Sequence, residues 1–240
     1  YSGGSYGGNS GSYDRKPEKN KKYYIEKLDR EKIFISVNIE PTIEKIEDIE
    51  IQLNEYLRIL NLDYVDNLQL HTPRATNLPL IDTYKEMERL KLAGKTRYLG
   101  ISNCNFNQLK EINNAVKIDF FEGVYNLECK INEDIGILNY CKENNIIFIG
   151  YQTLRRNRTA KRNYPILTEL SEKYEKTQNQ IILNWIIKEK GILPIIKSSN
   201  IDRIKENLDS TNFIMDNEDY IKLNQFRSEE FDNIKIDWNF

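Results

Sequence analysis

Lys197-Ser198-Ser199-Asn200-Ile201-Asp202-Arg203-Ile204-Lys205-Glu206-Asn207 is the stretch whose side chains are best suited to chemistry. It follows the apolar run Ile192-Leu193-Pro194-Ile195-Ile196 and leads into a predicted helix. A strand end that presents Lys, Ser, Asn and Arg before a helix suits a phosphate. Lys and Arg supply charge, Ser and the first backbone N–H groups supply donors, and the helix N-terminus adds a partial positive charge. Taken alone, the same residues also describe a solvated basic loop. A second basic run, Leu154-Arg155-Arg156-Asn157-Arg158-Thr159-Ala160-Lys161-Arg162, carries five cations in the eight residues from Arg155. No aromatic stacking platform is interleaved with them, which argues against a nucleic-acid groove.

Further polar residues fall at the ends of predicted strands: Asn38, His71, Ser102-Asn103, Asn126 and Tyr151. The strands expected from apolar and β-branched runs are 33–37, 65–70, 96–101, 120–127, 146–150 and 193–196. Helices are expected over 42–62 (with Thr42 as N-cap), 80–92 (closed by Gly94), 105–115, 134–143, 165–174, 178–188, 201–208 and 218–226. Alternating strands and helices imply a parallel sheet covered by helices, either doubly wound or a (β/α)8 barrel. No GxGxxG follows a strand, which disfavours a dinucleotide-binding Rossmann domain. A barrel gathers its functional residues at the C-terminal strand ends, where these polar residues recur.

With 240 residues and 39% hydrophobic content, the chain can build a sizeable core. A net charge of about -2 gives no bulk attraction to nucleic acid or an anionic membrane. No apolar run approaches the roughly 18–20 residues of a membrane span. Cys104, Cys129 and Cys141 are odd in number and lack CxxC spacing, and His71 is the single histidine, so neither a disulfide framework nor a metal centre is expected. A reducing cytoplasm is the natural compartment. No signal peptide is visible, and the chain opens at Tyr1, which leaves room for an upstream segment. Residues 1–30 read as a flexible Gly/Ser/Tyr-rich and charged segment, and 31–240 as one domain.

At these residues a family resemblance enters. Leu62-Asp63-Tyr64-Val65-Asp66, followed by Leu70-His71-Thr72-Pro73, resembles the LDYVDLxLxHxP segment of the aldo-keto reductases. Gly94 to Asn103, GKTRYLGISN, resembles their GKxRxxGxSN segment, and Lys197 to Asn207 fits KSxNxxRIxxN at every fixed position. The likeness covers roughly residues 31–227. It implies a (β/α)8 TIM-type barrel, with strands three to eight recognisable, that uses NADP(H) to interconvert a small carbonyl compound and an alcohol. His71 corresponds to the histidine that orients the carbonyl. Ser102, Asn103 and Asn126 match groups that bind the nicotinamide carboxamide, and Tyr151 matches the aromatic under the ring. Lys197, Ser198 and Arg203 match the grip on the adenosine 2′-phosphate, with Asn200 in the same loop, and Glu206 and Asn207 match adenine contacts. The loop from Leu154 corresponds to the one that passes over the pyrophosphate.

The pattern departs from the family at the proton relay. The family's proton donor is a Tyr tuned by a Lys that pairs with an Asp, and Asn38 occupies the Lys position. Tyr6-Gly7 resembles the loop of the Tyr without its flanking residues. The first two strands are not recognisable, so an incomplete barrel is expected, with edges that residues 1–30 or dimerisation could cover. A rival reading is a catalytically impaired protein that binds NADPH as a sensor or interaction module.

Overall fold

The computed structural model describes residues 29–73 and 76–228. Six strands form one sheet: β1 (Ser36–Ile39), β2 (Val65–Leu70), β3 (Thr96–Ser102), β4 (Phe120–Val124), β5 (Ile147–Tyr151) and β6 (Leu193–Pro194). They lie in chain order, and every neighbouring pair is parallel. A doubly wound sheet reverses its strand order at a switch point; this one does not, so it is the wall of a barrel. Among the described residues, β1 and β6 each pair on one side only. Tyr6, Arg74 and the tail from Glu229 to Phe240 lie outside the described residues.

The long helices are α1 (Asp48–Leu60), α2 (Leu80–Leu92), α3 (Phe106–Ala115), α4 (Ile137–Glu143), α5 (Pro165–Tyr174), α6 (Gln178–Asn184), α7 (Ile201–Asp209) and α8 (Asn217–Gln225). Each of the first three lays an apolar stripe on the sheet: Ile49, Leu53 and Leu57; Tyr84, Met87 and Leu90; Leu109 and Ile112, all buried. The inner wall is different. Asn67, Gln69 and Ser102 are buried there, and Gln69 Nε2 donates to Asn38 Oδ1 at 2.6 Å and to Glu122 Oε2 at 2.5 Å. Gly100 leaves the space for this layer, because a Cβ there would lie 2.8 Å from Gln69 Oε1 and 2.9 Å from Asn67.

Boundaries move where a side chain takes over a backbone hydrogen bond. β1 begins at Ser36 instead of 33, since Ile35 N donates to Asp66 Oδ2 at 2.8 Å and not to a ladder. α1 begins at Asp48 and not Thr42, because the Asp48 carboxylate accepts from Glu44 N and Lys45 N, both at 3.0 Å, and closes a turn instead. β4 stops at Val124, where Asn126 Oδ1 accepts from Glu128 N and Cys129 N and turns the chain. The expected helix over 178–188 is α6 followed by a wide π turn, Trp185–Glu189. β6 is short, Leu193–Pro194, although Ile195 N still donates to the Gly150 carbonyl at 2.8 Å just beyond it.

Candidate functional site

A cleft of about 610 Å³ opens at the C-terminal ends of β5 and β6. Its lining includes Lys197, Ser198, Arg203, Glu206 and Asn207 from the segment after β6, and Leu154, Arg155 and Arg156 from the segment after β5. Local sequence builds the first of these. Asn200 caps α7, its Oδ1 accepting from Arg203 N at 3.1 Å, and Ser198 Oγ accepts from Asn200 N at 3.1 Å. The cap starts the helix immediately after Lys197 and Ser198, so Lys197, Arg203 and the first turn of α7 share one end of the cleft.

A second cluster stands at the ends of β2, β3 and β5. Asn103 holds a left-handed backbone, φ 53, which its residue type tolerates. Its Nδ2 donates to Ser102 Oγ at 2.9 Å and to the His71 carbonyl at 3.1 Å, and its Oδ1 accepts from Tyr151 OH at 2.7 Å. Four of the residues expected from the sequence therefore meet around one amide. Asn126 is 1% exposed; its Oδ1 serves the turn after β4, so Nδ2 is the atom with which it could meet a carboxamide.

The His71 side chain is 46% exposed, and its Nδ1 lies 3.6 Å from Glu40 Oε2. Asn38, one layer below, is joined to Gln69 and through it to Glu122. A neutral amide paired with another amide cannot electrostatically favour a tyrosinate. Glu40, Gln69 and Glu122 escaped the sequence reading. For two of them the signal was alternation: Gln69 lies two residues before His71 and Glu40 two after Asn38, the spacing at which extended chain repeats a face, with His71 and Glu40 one residue past their strands. The basic run also divides. Arg155 and Arg162 engage Glu128, while Arg156 borders the cleft.

The model of the aldo/keto reductase family matches residues 9–228. The chain belongs to the aldo/keto reductase family. It is accordingly an oxidoreductase of the class that interconverts carbonyl compounds and alcohols. It is 29% identical over 240 residues to the NADPH-dependent alpha-keto amide reductase of Saccharomyces cerevisiae, covering 95% of this chain and 76% of that protein. It is 31% identical over 239 residues to aldo-keto reductase family 1 member C18 of Rattus norvegicus, covering 83% and 74%. Among solved structures, the thermostable aldo-keto reductase Tm1743 superimposes with a TM-score of 0.77 at 28% identity, over 84% of this chain and 74% of that one. The Bombyx mori aldo-keto reductase solved with NADP gives 0.73 at 26% identity, over 83% and 69%. These likenesses support the enzyme and not the rival sensor. Among the described residues, no helix is long and apolar enough to cross a membrane.

Proposed function

We propose that the barrel domain, 31–240, holds NADP(H) along the cleft and around Asn103, and reduces a small carbonyl substrate at His71. The observation that carries this is the meeting of Lys197, Ser198, Arg203, Glu206, Asn207 and Leu154 around one cavity. The cavity suits the group: two cations and a helix N-terminus gather at one end, a donor set that a phosphomonoester satisfies and an uncharged ribose does not.

When bound, NADPH supplies a hydride from the nicotinamide C4. The chain's own residues do the rest. Ser102, Asn103 and Asn126 offer hydrogen bonds to a carboxamide, and Tyr151, tied to Asn103 at 2.7 Å, offers an aromatic face for the ring. Together they restrict which ring face meets the substrate, and orientation of this kind is a large part of hydride-transfer catalysis. His71 would present a polar edge to the carbonyl oxygen, with the Glu40 carboxylate standing 3.6 Å from Nδ1. The proton reaches the oxygen from water at this half-exposed mouth, or from Tyr6. Free, buried Cys104, Cys129 and Cys141 suit a reducing cytoplasm.

Titration of the full chain with NADPH and with NADH, followed by NADPH oxidation against aldehydes and ketones, tests the reading. Tight NADPH binding, weak NADH binding and turnover are expected. Absence of NADPH binding overturns the reading of the cleft, and binding without turnover of any carbonyl overturns the assignment of the reaction.

A further inference from the structure

Glu128 lies two residues beyond Asn126, and its side chain is 0% exposed. Four side chains from the segment between β5 and α5 converge on its carboxylate. Arg155 Nη1 and, at 2.8 Å, Thr159 Oγ1 reach Oε2. Tyr164 OH at 2.7 Å and Arg162 Nε at 3.0 Å reach Oε1. Burial pushes the Glu128 carboxyl up, but the donors outweigh it and hold it below the usual range. The group is therefore an ionised hub.

The same segment also borders the cleft through Leu154, Arg155 and Arg156. Between hub and cleft, Arg155, Arg156 and Asn157 have φ values of 46, 56 and 66. Three successive non-glycine residues in left-handed conformation do not hold that shape unaided. Asn179 secures one end, donating to Asn157 Oδ1 at 2.8 Å, and Glu128 secures the rest.

We propose that Glu128 is the latch of a strap, the segment from Leu154 to Tyr164 that borders the cleft, and is a positioning residue that sets how fast the dinucleotide leaves. The proposal rests on the cleft being the NADP(H) site. Lys197 and Arg203 discriminate for the 2′-phosphate; Glu128 does not face it. A loosened latch therefore speeds release of NADPH and NADH alike, whereas loss of Lys197 affects NADPH alone.

The test is displacement stopped-flow on the full chain. Glu128→Gln should release both dinucleotides about tenfold faster, since charge-assisted hydrogen bonds hold the strap. Tyr164→Phe, which deletes one hydroxyl of the hub, should do so about threefold. Without cofactor, trypsin should cut between Arg155 and Arg162 faster in both variants, because local opening controls cleavage. Release and cleavage rates within about twofold of wild type in both variants overturn the latch. If Glu128→Gln does not fold, Tyr164→Phe decides. If the wild type binds neither dinucleotide, the reading of the cleft falls, and the trypsin rates alone decide whether Glu128 holds the strap.

Discussion

Lys197 and Arg203 contribute to the cleft as charges, and their removal should be visible as lost selectivity. Lys197→Ala and Arg203→Ala should each raise the NADPH dissociation constant about 10–100-fold, the value of a charge-assisted contact of roughly 1.5–3 kcal/mol, with NADH binding changed less than about threefold. Fluorescence titration with both cofactors measures the difference. His71 depends on a weaker contact. Glu40→Gln keeps the shape and removes the charge that faces Nδ1, so kcat/KM for a carbonyl should fall about three- to tenfold while NADPH affinity stays constant. An equal loss in both quantities would assign Glu40 to the fold instead.

At the scale of elements, caps and turns deliver the site residues. The capping box of α3, with Asn105 Oδ1 accepting from Gln108 N at 2.9 Å and Gln108 Oε1 from Asn105 N at 3.0 Å, sets the cap of that helix two residues after Asn103. It was legible as Asn105 opening a helix. The shortened start of α1 was not, because Thr42 suits a cap by its residue type, while the Asp48 carboxylate draws Glu44 N and Lys45 N into a turn ahead of the helix. Gly100 shows the same limit inside a strand. Its sequence context reads as a motif glycine, while its reason is the Asn67 and Gln69 side chains 2.8–2.9 Å from the missing Cβ. Gly100→Ala should destabilise the fold by about 1–3 kcal/mol, measured by urea unfolding, as the polar layer is displaced.

Across the whole molecule, α5 and α8 are joined by Asp219, which is 1% exposed and accepts from Tyr174 OH at 2.6 Å and Lys173 Nζ at 2.7 Å, with Lys222 at 3.2 Å. Burial raises the Asp219 pKa, but these partners outweigh it and hold it down at about 2. The folded value lies below the unfolded one, so Asp219 contributes stability above about pH 4 that disappears as pH falls through 2, on the order of 2 kcal/mol. Unfolding free energies measured across that window should show the loss, and Asp219→Asn should flatten it. Trp185 anchors the same side: it is 0% exposed, stacks on Tyr125 at 5.7 Å and donates to Asn224 Oδ1 at 2.8 Å. Trp185→Ala should cost about 3–5 kcal/mol by the same measurement.

The sequence by itself determined what depends on local pattern: parallel strands from alternating β and α runs, the family from three spaced motifs, and the run from Lys197 to Asn207 that lines part of the cleft. Those residues are near in the chain, so spacing suffices to bring them together. Only the tertiary structure decided what depends on distant segments. It joined Asn103 to His71 and Tyr151, paired Asn38 with Gln69 and Glu122, set Glu40 beside His71, and drew Arg155 and Arg162 onto Glu128. The physical reason is that a side chain's partner across a barrel is fixed by strand register and burial, and no interval along the chain records that.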